Sequence, residues 1–98
     1  MLRAMDNTPI ALPIDGTLDL HTFAPRDVKT LVLDYLAACR KRGILEVRIV
    51  HGKGTGALRQ TVHALLSRLE EIAAFSTASE DAGGWGATLV SLRPPRGD

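Results

Sequence analysis

Asp19 and His21 are the carboxylate and imidazole that strand alternation sets side by side in this 98-residue chain. In Thr17-Leu18-Asp19-Leu20-His21, Leu18 and Leu20 share one face, and Thr17, Asp19 and His21 share the other. A rise of roughly 3.3 Å per residue puts the Asp19 and His21 Cα atoms about 6.5 to 7 Å apart. An imidazole whose ordinary pKa lies near 6.5 trades protons at neutral pH, and a neighbouring carboxylate raises that pKa or orients the ring. His21 is therefore either a general acid or base or a solvated histidine at a strand edge.

The second chemical feature is Val47-Arg48-Ile49-Val50-His51-Gly52-Lys53-Gly54-Thr55-Gly56-Ala57-Leu58-Arg59, which reads as strand, glycine loop and helix. Glycines at alternate positions turn the backbone tightly and expose consecutive N–H groups, and the helix adds the positive end of its dipole. Such a loop seats a phosphate. Lys53 and Arg59 add cations at a helix N-terminus, a mildly unfavourable placement unless an anion is expected there. The competing reading is a tight strand-to-helix turn without a ligand. The hydrolase phosphate loop is excluded, because Gly52-Lys53 is followed by Gly54 rather than Ser or Thr, and position 47 is Val. Gly52-x-Gly54-x-x-Ala57 matches a relaxed dinucleotide fingerprint, but a second mononucleotide half has no room in so short a chain.

His51 precedes the loop, where a structural hydrogen bond holding it is the expected role. His63 falls on the polar face of the following helix and is assigned no function. Trp85, among Gly83, Gly84 and Gly86, either stacks on a base or packs down over the sheet end. No Cys-rich or His-Glu-x-x-His spacing points to zinc, while Asp19 with substrate phosphates could hold magnesium or another divalent cation.

The elements that position these residues follow from periodicity. Residues 1–16, with Pro9, Pro13 and Gly16, form an extended arm whose Ile10, Leu12 and Ile14 lie along an edge or strap a sheet face. Strand 17–21 leads to a helix over about 25–42, in which Val28, Leu31, Val32, Tyr35, Leu36 and Cys39 recur at helical spacing. Strand 46–51 is too apolar for a one-sided surface strand, and a helix over about 57–70 carries Leu58, Val62, Leu65, Leu66 and Leu69. Strands are expected over 74–79 and 87–92 with a hairpin loop between them, and residues 94–98 form a frayed tail. The order β-α-β-α-β-β gives a two-layer α/β sandwich with a four-stranded mixed sheet, three strands parallel and the fourth antiparallel. His21, the glycine loop and the Trp85 loop then meet at the carboxyl edge, where open α/β sheets place ligands.

Composition sets bounds. An apolar share of 45% and a charged share of 23% suit one globular domain. A net charge of +1 confines any nucleic-acid affinity to a local patch, for which Lys53, Arg59, Arg26 and Arg93 are the candidate phosphate contacts. Cys39 has no partner for an internal disulfide and is expected to be a buried thiol, which points to the cytoplasm. No signal core or membrane-spanning run is present.

Leu18-Asp19-Leu20-His21, His51-Gly52-Lys53-Gly54-Thr55-Gly56-Ala57-Leu58-Arg59 and Gly83-Gly84-Trp85-Gly86-Ala87-Thr88, in this order and spacing, resemble the Smr domain, the small MutS-related family. The resemblance spans about residues 17–93 and suggests a stand-alone form. It implies a fold like the C-terminal domain of a bacterial translation initiation factor, and nuclease or nucleic-acid-binding activity on DNA or RNA. It also implies that Asp19 and His21 are catalytic, and that Gly52, Lys53, Gly54, Thr55 and Gly56 contact nucleic acid. Thr22 stands where the family commonly has glycine, which puts a side chain beside His21. The resulting expectation is an endonuclease on RNA or on structured or branched DNA, using His51, Arg59 and Trp85 beside the loop. The alternatives are a non-catalytic nucleic-acid or ribosome-associated module, and a small-molecule phosphate binder.

Overall fold

Six apolar side chains at helical spacing decide where the first layer forms. A 3-10 turn over Pro25–Asp27 leads into α1, Val28–Lys41, and Val28, Leu31, Val32, Tyr35, Leu36 and Cys39 are all buried. Each such burial contributes about 1.5–3 kcal/mol. The helix closes in a Schellman motif: Ile44 N–H donates to Cys39 O at 2.9 Å and Gly43 N–H to Arg40 O at 3.1 Å. The computed structural model describes residues 3–4, 8–9, 13–21, 23–52, 56–78 and 86–95, with residues 3–4 and 8–9 described by their backbone.

Near the start of the chain, β1, Arg3–Ala4, pairs antiparallel with β2, Thr8–Pro9, in a ladder separate from the main sheet. Of the expected apolar arm, Ile14 packs against the core, while Ile10 and Leu12 lie outside the described residues. The main sheet comprises β3, Thr17–Asp19, β4, Glu46–Val50, β5, Ile72–Thr77, and β6, Ala87–Leu92, in the order β3-β4-β6-β5. β3 and β4 are parallel, and β6 is antiparallel to both β4 and β5. Three strands therefore run one way and β6 opposes them, as expected, with β6 inserted between β4 and β5.

α2, Ala57–Leu66, joins α1 on one sheet face, where Leu18, Val47, Ile49, Val62, Leu66 and Val90 form the core. β4 alternates, with Val47 and Ile49 buried, Glu46 exposed, and Arg48 and Val50 half-buried. This corrects the expectation of a strand too apolar to be one-sided: two layers cover only the Val47 face of β4 with helices. α2 also stops four residues short of the expected 70. Arg68 N–H donates to Leu65 O and Leu69 N–H to Leu66 O, a tightening into 3-10 geometry, while Ser67 Oγ takes the Ala64 carbonyl. The chain thus rejoins the sheet early, and β5 starts at Ile72 rather than Ala74, with a register irregularity between them.

Candidate nucleic-acid interface

The ends of β3 and β4 coincide, because the register pairs Asp19 with Val50. Leu20 N–H still donates to Val50 O at 2.8 Å, and there β3 stops. Asp19 Oδ1 accepts the His21 backbone N–H at 3.0 Å, an Asx turn that folds the chain back. The same oxygen lies 2.7 Å from His21 Nδ1. The expected juxtaposition is present, but a turn makes it rather than two positions of one strand. An ionised carboxylate only accepts, so Nδ1 carries the proton and Nε2 is left for a substrate. The His21 and Asp19 side chains are 68% and 50% exposed. The His21 backbone N–H, then its ring, holds the Asp19 carboxyl below its usual range, and Arg48 adds a smaller pull. Arg48 was not singled out by sequence, although its place between inward-facing Val47 and Ile49 puts it on the Asp19 face.

Tyr35 anchors the start of this strand from α1. Its hydroxyl accepts the Gly16 N–H at 3.0 Å and donates to Thr17 O at 3.1 Å. A cavity of about 300 Å³ opens beside the pair, lined by Pro13, Thr17, Leu18, Asp19, His21, Phe23 and Tyr35.

The loop leaves the same sheet edge. His51 and Gly52 N–H groups both donate to Gly86 O at 2.9 Å, tying the end of β4 to the start of β6. Gly52 at φ +84° and Gly56 at φ +88° occupy the left-handed region, and a Cβ on either would meet nothing within 4 Å. Backbone angle rather than crowding therefore selects glycine there. Gly56 caps α2, and a cavity of about 270 Å³ is lined by Pro25, His51, Gly52, Gly56, Ala57, Leu58, Arg59 and Thr61. Among the described residues the two cavities share no lining residue. Lys53, Gly54, Thr55 and Trp85, and also Thr22, lie outside the described residues.

His51 is buried, with Nδ1 3.3 Å from Gly52 O and Nε2 2.8 Å from Thr88 Oγ1. His63, expected on the polar face of the helix with no role, is half-buried: its Nε2 is 2.7 Å from Thr88 Oγ1, and its ring packs edge-on to Phe75 at 5.0 Å. It lies four positions after Arg59, so both flank the apolar stripe of α2 on the side of Leu66. Burial foremost, then the Arg59 charge, pushes the His63 pKa down; burial does the same for His51, with a smaller push from Arg59. Sequence reasoning missed Thr88 as well, since a threonine in a strand is ordinary.

Arg93 is corrected as a phosphate contact. β6 runs away from the loop edge, so Arg93 sits at the far end of the sheet, where its Nε donates to Glu70 O at 2.8 Å. Arg26 is exposed beside Pro25, which lines the loop cavity. Among the described residues no three His, Cys, Asp or Glu side chains gather as a metal-binding group. No helix among them is long and apolar enough to cross a membrane.

The Smr domain model matches residues 18–93. The chain belongs to the Smr domain family. The endonuclease MutS2 of Thermus thermophilus is 44% identical over 77 residues, which cover 79% of this chain and 10% of that protein. The endonuclease MutS2 of Solidesulfovibrio magneticus is 36% identical over 89 residues, covering 88% of this chain and 12% of that protein. This Smr chain thus spans about a tenth of the length of the curated relatives it matches. The crystal structure of the Smr domain of Thermus thermophilus MutS2 superposes with a TM-score of 0.77 at 36% identity, covering 82% of this chain and all of that one. YdaL, a stand-alone small MutS-related protein from Escherichia coli, gives 0.76 at 28% identity, covering 83% of this chain and 66% of that one.

Proposed function

We propose that this Smr domain binds nucleic acid across the β3–β4 edge and cleaves a phosphodiester with Asp19 and His21, on RNA or on structured DNA. One observation carries the reading: a carboxylate oxygen 2.7 Å from His21 Nδ1 fixes the ring while leaving it 68% exposed. In this account His21 Nε2 takes the proton of the attacking hydroxyl as its oxygen bonds to phosphorus. The bond from phosphorus to the leaving oxygen then breaks, and that oxygen takes the proton from the His21 imidazolium, which returns the ring to its neutral form. Asp19 keeps Nδ1–H in place and stabilises the imidazolium that forms. The loop N–H groups, Lys53 and Arg59 offset phosphate charge. Were a divalent cation such as magnesium used, Asp19 would be the residue to hold it, and the ion would supply neutralisation of the substrate's phosphate charge.

Because the pair and the loop line separate cavities, the strand spans both: one phosphate rests at the loop while a neighbouring one meets His21. The cavity of about 300 Å³, whose lining includes Leu18, Phe23 and Tyr35, receives the adjoining nucleoside. That separation also favours a second reading, in which the loop binds nucleic acid without cleavage. Labelled single-stranded RNA, hairpin RNA and branched DNA, incubated with wild type and His21→Ala with and without chelator, distinguish the two. Cleavage lost in the variant with binding kept supports catalysis. Binding with no cleavage by the wild type supports the module reading, and the chelator arm assigns the metal.

A further inference from the structure

Thr88 is fully buried on β6, and its hydroxyl meets two imidazoles: His51 Nε2 at 2.8 Å and His63 Nε2 at 2.7 Å. A hydroxyl has one proton, so it can donate to only one of two neutral rings, and the other ring must donate to it. His51 settles which. Its Nδ1 is 3.3 Å from the Gly52 carbonyl, an acceptor only, so Nδ1 carries the proton and Nε2 accepts from Thr88. His63 must then carry its proton on Nε2. The result is a directed chain: His63 Nε2–H to Thr88 Oγ1, Thr88 O–H to His51 Nε2, and His51 Nδ1–H to Gly52 O.

The surroundings hold both rings neutral. His51 and His63 lie with ring centroids 6.2 Å apart at 80°, Phe75 packs on His63, and among the described residues Arg59 is the cation acting on both. Charging either ring there would repel Arg59 and lose hydration.

We infer that Thr88 is a positioning residue for the glycine loop: with His63 it locks His51 in one tautomer and so fixes Gly52, where the backbone turns left-handed. It reaches the proposed substrate through His51 and Gly52. Loop position matters for nucleic acid only under the function proposed above, whereas tautomers are read with no nucleic acid present, so the two can fail separately.

The test is long-range ¹H–¹⁵N NMR of the full chain at neutral pH. The expected result is opposite tautomers, with the proton on Nδ1 of His51 and on Nε2 of His63. The same tautomer in both rings overturns the inference in the wild type, whatever any variant does. Thr88→Val is expected to release the His51 tautomer and weaken binding of fluorescein-labelled single-stranded RNA about tenfold, the worth of one buried hydrogen bond. Thr88→Ser, which restores the hydroxyl, is expected to recover both. A Thr88→Val protein that keeps the wild-type ring spectrum and affinity overturns the proposal.

Discussion

Asp19 Oδ1 accepts the backbone N–H of His21 at 3.0 Å and lies 2.7 Å from its Nδ1, so one oxygen sets both the turn and the ring. Asp19→Asn keeps an oxygen for both bonds and loses the charge; Asp19→Ala loses everything. Single-turnover cleavage should therefore fall in the order wild type, Asn, Ala, with the Ala variant down about 100-fold, the low end of what a positioned acid–base group supplies. Equal rates for Asn and Ala would show that the oxygen does not act through the ring.

The buried histidines give the fold a pH dependence of definite sign. His51 and His63 both have pKa values pushed below the ordinary 6.5, chiefly by burial. The unfolded chain thus binds more protons, and stability present above about pH 6.5 is lost as pH falls through the folded pKa values. Thermal melts should show Tm falling on acidification below about 6.5. His63→Phe should flatten that decline.

Gly56 caps α2 at φ +88°, where a Cβ is strained although nothing blocks it. Gly56→Ala should destabilise by about 1–2 kcal/mol, the left-handed penalty. Urea unfolding measures this as a lower midpoint with unchanged slope.

Tyr35→Phe removes the hydroxyl that accepts Gly16 N–H and donates to Thr17 O. Leaving the buried Gly16 N–H unmet costs about 1–3 kcal/mol, read as a fall in Tm. Because β3 starts there, cleavage should decline more than the melt alone explains.

Of the four candidate phosphate contacts, Arg26, Lys53 and Arg59 are kept once Arg93 is placed at the far end of the sheet. Single-strand affinity should fall with log salt at a slope of about −2. A slope near zero would remove the electrostatic basis of the interface.

Much of this was legible in the chain because apolar periodicity is a strong signal. The six inward positions of α1 are the buried ones, and β6 runs over the expected 87–92. Asp19 and His21 were legible as a pair because short spacing guarantees proximity; the Asx turn was not, since a strand and a turn both satisfy two-residue spacing. Gly52 and Gly56 announced a turn through their lack of Cβ. The His51–Thr88–His63 chain was illegible because it joins three elements, and a lone threonine or helix histidine carries no local sign of a distant partner. The early end of α2 was hidden for a similar reason: Ser67 competes for a backbone carbonyl only once the turn has formed.

The most direct measurement is paired: the cleavage rate and the nucleic-acid affinity of His21→Ala against wild type on the same labelled substrate. The account predicts a loss of cleavage of about 100-fold or more with affinity nearly unchanged, because the loop and α2 bind without the ring. Cleavage by His21→Ala at the wild-type rate would contradict it.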